Sequence, residues 1–160
     1  MGILSASGKG PVALDTSVFI YFLEEHPDYL DVVKPLFAAL DRGELAAVTS
    51  TLTLLEVSVV PLRHGDVELA RRYEQLLSRG RGLSLVEVSR VIARDAAALR
   101  AAMGLRTPDA IQLATALRHR CTAFVTNDRA LPSLPGLRVL QLSTFLPPSR
   151  SGRGARVSEP

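Results

Sequence analysis

Short apolar runs alternate with helical segments along most of this chain, and that alternation restricts its fold more than any single residue does. Val12-Ala13-Leu14, Leu45 to Val48, Leu83 to Val88, Thr122 to Val125 and Arg138 to Leu140 have strand length and apolar or alternating character. Helical signals fill the gaps. Asp15-Thr16-Ser17 can cap a helix over Val18 to Glu25, and a second helix is predicted over about Tyr29 to Arg42, with Pro35 marking a kink or break. Ser50 and Thr51 open a helix reaching about Pro61, Asp66 to Arg79 stops at Gly80, and Ser89 to Met103 stops at Gly104. Thr107-Pro108 starts a helix to about Arg118, with Thr107 expected as N-cap and Pro108 at the first helical position. Strands separated by helices predict an α/β fold with a mostly parallel sheet. Such sheets carry functional residues at the carboxyl ends of their strands.

The chain has 160 residues, which suits one domain, expected over residues 11–146. Residues 1–10, with Ser5, Ser7, Gly8 and Gly10, read as a flexible leader, and Gly8-Lys9-Gly10 lacks the spacing of a phosphate-binding loop. Residues 147–160 read as a basic, Pro/Gly/Ser/Arg-rich flexible tail carrying Arg150, Arg153 and Arg156 against Glu159. The formal net charge of +3 permits an anionic partner without demonstrating one. Eight aromatics and no Trp argue against the base-stacking platforms of many RNA-binding folds. Cys121, the single cysteine, excludes an intramolecular disulfide and a cysteine zinc site, and suits a reducing compartment. No N-terminal apolar run has the length of a signal peptide, and Leu45 to Leu62 is too interrupted by Ser, Thr and Glu56 to be a good membrane span. A cytoplasmic protein is expected.

Four acids stand out by position. Leu52, Leu55, Glu56 and Val59 follow helical periodicity, so Glu56 is expected within an apolar stripe, where a carboxylate is costly unless paired, hydrogen-bonded or metal-bound. Asp15 follows an apolar run directly and is equally suited to capping a helix. Asp128 ends Phe124-Val125-Thr126-Asn127-Asp128, where an ordinary turn would also use it. Asp109 lies in the first turn after Thr107-Pro108, where an acid complements the helix dipole. In a parallel sheet Asp15 and Asp128 would emerge at the same edge. Four carboxylates meeting there would repel one another, and a divalent cation would make the cluster tolerable. Oxygen ligands without His or Cys select Mg²⁺ or Mn²⁺, an ion that can hold a phosphate and supply an activated hydroxide.

The chain resembles the PIN-domain family, and within it the bacterial and archaeal VapC-type toxins. The stretches that carry the resemblance are Leu14-Asp15-Thr16-Ser17-Val18-Phe19, Ser50 to Val57 with Glu56, Thr107-Pro108-Asp109-Ala110 with the following Ile-Gln-Leu-Ala-Thr-Ala, and Thr126-Asn127-Asp128. They occur in the family's order over about residues 11–146. The resemblance implies a three-layer α/β/α fold with a five-stranded parallel sheet. It also implies a Mg²⁺- or Mn²⁺-dependent endoribonuclease that leaves 5′-phosphate and 3′-hydroxyl ends. Asp15, Glu56, Asp109 and Asp128 take the family's metal-binding and catalytic roles, with Thr16, Thr126 and Asn127 in support. A small antitoxin that blocks the site and a homodimer are further implications.

Two rival readings belong to other classes. A non-catalytic PIN-like module that binds RNA or protein would retain the fold without the chemistry. A phosphatase with an aspartate nucleophile would want a second Asp two residues after the first, where this chain has Ser17. His26, His64 and His119 have no ligand spacing. Arg71-Arg72 and Arg118 to Arg120 read as solvated faces that could touch RNA phosphates, and the tail arginines could add nonspecific affinity.

Overall fold

The computed structural model describes residues 1–148, so the tail expected from Pro147 onward lies almost wholly outside the described residues. Among the described residues five strands form one sheet: β1 (Val12–Leu14), β2 (Ala47–Ser50), β3 (Leu83–Val86), β4 (Ala123–Thr126) and β5 (Arg138–Gln141). Their order is β3-β2-β1-β4-β5, and every pairing is parallel. The three inner strands β1, β2 and β4 are buried along their whole length, as apolar strands with both faces covered must be.

Among the described residues, seven α-helices cover the two faces. These are α1 (Ile3–Ser7), α2 (Thr16–Leu23), α3 (Leu30–Asp41), α4 (Thr51–Arg63), α5 (Val67–Arg79), α6 (Arg90–Met103) and α7 (Thr107–Arg118). Alternation along each strand divides the core. Val12, Leu14, Ala123 and Val125 face a cluster with Phe19, Val33, Leu36, Val57 and Leu77, drawn from α2 to α5. Ala13, Val48 and Phe124 point the other way, onto Leu113 and Ala116 of α7. Ile92 and Ala96 of α6 then pack on Ala110 and Ala114 of α7, where small side chains let the two helices approach. The result is the expected three-layer α/β/α arrangement, with the sheet wholly parallel.

Local differences from the sequence reading have local causes. Residues 1–10 are not a flexible leader throughout: α1 buries Ile3 and Ala6, each 4% exposed, and Ser7 donates its hydroxyl to the Ile3 carbonyl at 2.7 Å. The Ala6 carbonyl accepts a 2.7 Å hydrogen bond from Arg138, tying this helix to β5. The Ser and Gly content concealed an apolar face too short to show a period. Pro35 does not break α3, which continues to Asp41, although it forfeits the hydrogen bond that an N–H there would make to the Asp31 carbonyl. Thr107 is the first residue of α7 rather than its N-cap, because Ala110 N–H already donates to the Arg106 carbonyl at 3.0 Å. Gly10 is required by a close approach: a Cβ there would stand 2.4 Å from Cγ2 of Thr122.

Candidate active site

The strand order makes β1 the turning point of the sheet. The chain leaves β1 toward β2 and β3, then returns to lay β4 on the opposite side of β1. Open α/β sheets present a crevice outside the carboxyl ends of the two strands at such a reversal. Asp15 stands there, its N–H donating to the Val125 carbonyl across the β1–β4 seam at 3.0 Å. It is also the N-cap of α2, with Oδ1 accepting the Thr16 N–H at 2.8 Å. Its other oxygen, Oδ2, accepts the Thr126 hydroxyl at 2.6 Å. Capping and site membership are therefore two uses of one side chain.

Thr126, the last residue of β4, links two acids. While its hydroxyl donates to Asp15, the oxygen accepts the Asp128 N–H at 3.0 Å. Asp128 in turn accepts the Ala130 N–H at 2.9 Å, the turn geometry its sequence context suggests, and Gln141 donates to the Asp128 carbonyl at 2.7 Å. Glu56 comes from the middle of α4 and accepts the Thr16 hydroxyl at 3.0 Å. Asp109 enters from the first turn of α7. Asn127, expected in a supporting role, turns away from the acids and donates to the Tyr21 hydroxyl at 3.0 Å.

The stripe predicted around Glu56 is not the buried face of α4. Leu55 is 61% exposed and Val59 41%, whereas Thr53, Val57 and Pro61 are buried at successive fourth positions. So many residues of α4 are apolar that periodicity alone cannot select its inward side. Glu56 sits at the border of the packed face, half-buried, and its oxygens reach the crevice.

Burial pushes the Asp15 carboxyl above the ordinary carboxylate range, against the hydrogen bonds from Thr126 and Thr16, and the charges of Asp109 and Asp128 push it further. Burial likewise raises Glu56, with hydrogen bonding from Thr16 and Gln112 opposing and the charges of Asp15 and Asp109 adding to the shift. The four acids thus share one electrostatic field. Arg106, at the cap of α7, stands among them: Nε donates to Asp109 Oδ2 at 3.1 Å, and Nη2 lies 3.5 Å from Asp128 Oδ2. Among the described residues, no three His, Cys, Asp or Glu side chains are grouped closely enough to hold a metal ion as they stand. The donor chemistry nonetheless fits a hard divalent cation, since all four candidates offer oxygen and the most buried one resists ionising without positive charge nearby. Arg106 already occupies one oxygen each of Asp109 and Asp128 that such an ion would use.

A buried polar chain supports the crevice from beneath. Gln112 Nε2 donates to Thr53 Oγ1 at 2.8 Å, and Thr53 and Thr49 hydroxyls are 2.8 Å apart. Thr49 spends its proton on the Leu14 carbonyl at 2.9 Å, so Thr53 is the donor to Thr49. This chain joins α7, α4, β2 and β1 one residue before Asp15.

Arg106, Gln112 and Thr53 were missed as site residues by the sequence reading. A cation at the positive end of a helix was the available signal for Arg106, because such placement is unfavourable unless acids hold it. Gln112 and Thr53 needed the packing of α4 against α7 to be known. The other singled-out residues are unremarkable in place: Arg71 pairs with Glu68, Arg118 with Asp95, and His26 packs edge-on against Tyr21. Cys121 is buried, and burial raises its thiol to about 11.

Comparison with known proteins follows the same outline. The PIN domain family matches residues 12–137. A toxin–antitoxin complex from Klebsiella pneumoniae contains a chain 27% identical, with a TM-score of 0.59, covering 79% of this chain and 94% of that one. VapBC2 from Rickettsia felis bound to a promoter DNA fragment gives 16% identity and a TM-score of 0.63, over 81% of this chain and 97% of that one. DNA-bound VapBC from Salmonella typhimurium gives 19% and 0.63, over 82% and 98%. The latter two show likeness of fold. No curated protein matches.

Proposed function

The chain belongs to the PIN domain family, and from that membership we propose that it is a divalent-metal-dependent endoribonuclease, the toxin of a toxin–antitoxin pair. The observation that carries the proposal is the meeting of four acids at the reversal point of the sheet: Thr126 bonds both Asp15 and Asp128, Thr16 bonds both Asp15 and Glu56, and Arg106 bridges Asp109 and Asp128. Asp15, Glu56, Asp109 and Asp128 would hold Mg²⁺ or Mn²⁺, whose oxygen preference they match. When bound, the cation supplies charge neutralisation and Lewis acidity toward an RNA phosphodiester.

The chain's own residues do the positioning. Thr126 and Thr16 fix both oxygens of Asp15, so its carboxylate is aimed before any ligand arrives. Thr16 also restrains Glu56, so α2 and α4 are aligned through one hydroxyl. The polar chain from Gln112 to Leu14 holds α7 and β1 in register beneath them. A small antitoxin as partner is supported by the toxin–antitoxin complex of the 27% identical neighbour. Assembly as a homodimer and residence in the cytoplasm are part of the same proposal, and no helix among the described residues is long and apolar enough to cross a membrane.

Purified protein with Mn²⁺ or Mg²⁺ is expected to cut RNA, leaving 5′-phosphate ends. Asp15→Asn, or EDTA, is expected to abolish the cleavage while the protein stays folded. Undiminished cleavage in either case would overturn the proposal. The open spacing of the acids favours one other reading, a PIN-like binding module without nuclease activity. Absence of any Mn²⁺-induced rise in melting temperature would select it.

A further inference from the structure

Arg106 has the geometry of a residue waiting to be displaced. Its side chain is 74% exposed, and its recorded hydrogen bond and ion pairs all go to two of the four candidate ligands. Among the described residues it is the one cation ion-paired to those four acids. Asp109 and Asp128 are far less exposed, at 16% and 30%, so the guanidinium caps the cluster from the solvent side. Exposed ion pairs of this kind are weak and readily exchanged. A divalent ion drawing in the same carboxylate oxygens removes both of Arg106's anchors at once.

We propose that Arg106 is the counter-ion of the metal-free cluster and, once released by a divalent cation, a phosphate-binding residue for the RNA substrate. The inference rests on the nuclease reading above and assigns a further substrate contact to that same crevice. Arg106 is the cap residue of α7, immediately before the turn that carries Asp109, so the released guanidinium stays tethered beside the acids within the reach of one side chain. Its backbone is fixed there by the Ala110 N–H donating to the Arg106 carbonyl. A planar fork of N–H donors matches a phosphodiester's two free oxygens, and it remains charged at any working pH. The α7 N-terminus adds a positive dipole beside it, favourable to an anion once the carboxylates are neutralised. One side chain thus balances negative charge in both states: that of the acids before the cation binds, and that of the substrate after.

The two roles predict opposite effects of one substitution. In Arg106→Gln the acids lose a competitor, so Mn²⁺ measured by calorimetric titration of the RNA-free protein should bind about 3- to 10-fold more tightly. With Mn²⁺ saturating, the same variant should cleave RNA at least about 10-fold less efficiently, the loss falling on KM if the contact is uniform and on kcat if it forms at the reacting phosphate. Arg106→Lys keeps the charge without the fork and should recover only part of the efficiency. Unchanged Mn²⁺ affinity in Arg106→Gln would overturn the counter-ion role. Tighter Mn²⁺ binding with unimpaired cleavage would overturn the phosphate role. Inert wild-type protein under saturating Mn²⁺ would instead remove the nuclease reading itself, and the phosphate role with it.

Discussion

Thr126 and Asp15 are joined by a 2.6 Å hydrogen bond in which the threonine hydroxyl donates to Oδ2, and the same hydroxyl oxygen accepts the Asp128 N–H at 3.0 Å. One oxygen atom therefore orients two of the four carboxyl-bearing residues. Thr126→Val keeps the shape and deletes both bonds. If Asp15 holds the metal of a nuclease, as proposed, cleavage should fall about 10- to 100-fold, as when a partner of a metal ligand is removed. The orphaned Asp128 N–H should also cost about 1–3 kcal/mol of stability. Thr126→Ser should restore most of both, and kinetics with thermal melts on the three proteins would check it.

Asp15 should be a stability liability in the absence of metal. Its carboxyl is raised by folding, so its contribution is fully favourable below the unfolded value near 4 and is lost as pH rises through the folded value. At neutral pH the ionised group weighs against the fold. Asn at this position can still accept the Thr16 N–H and cap α2. Asp15→Asn in EDTA should therefore melt above wild type at pH 7, with the gap closing as pH falls toward 4. A variant that melts lower at pH 7 would contradict the electrostatic account.

The N-terminal helix α1 belongs to the core. Ile3→Ala should destabilise the protein by about 2 kcal/mol, the low end for a buried aliphatic truncation because a helix as short as α1 can relax. Denaturant unfolding would show the loss as a lower midpoint at constant slope. An unaffected midpoint would mean that residues 1–10 are dispensable for stability.

Cys121 should be silent toward thiol reagents while the protein is folded. Its thiol is buried and raised to about 11, so little thiolate exists at about pH 8. Mass spectrometry after iodoacetamide should find no adduct on native protein and one adduct in guanidinium chloride.

The fold was largely legible because its period signals are local. Each inner strand is a short apolar run, and Asp15 and Ser50, at the ends of β1 and β2, both cap helices as their contexts suggest. Three of the acids could be located from element ends, since Asp15, Asp109 and Asp128 follow or open elements whose limits were readable. Glu56 lies beside Leu55 and Val59, which periodicity places inward but which are exposed, while Thr53 and Val57 mark the buried side. Hydrophobic periodicity fails on a helix that is apolar nearly all round. Arg106 and Gln112 escaped because their meaning lies in contacts with residues far away in sequence, Asp128 and Thr53. The chain pattern reports what each segment prefers, whereas a counter-ion or a buried amide is defined by what the neighbouring segment brings.

The late insertion of β4 into the middle of the sheet has a consequence for synthesis. A growing polypeptide that has emerged only as far as β3 possesses Asp15 and Glu56, but neither Asp109 nor Asp128, and β1 still lacks the neighbour that holds its end in place. The acid cluster comes into being only once α7 and β4 have followed. On the nuclease reading, a ribosome part-way through this message carries a harmless product. Emergence of β4 and the turn after it arms the product, and a protein that captures the completed crevice has no earlier form of it to recognise.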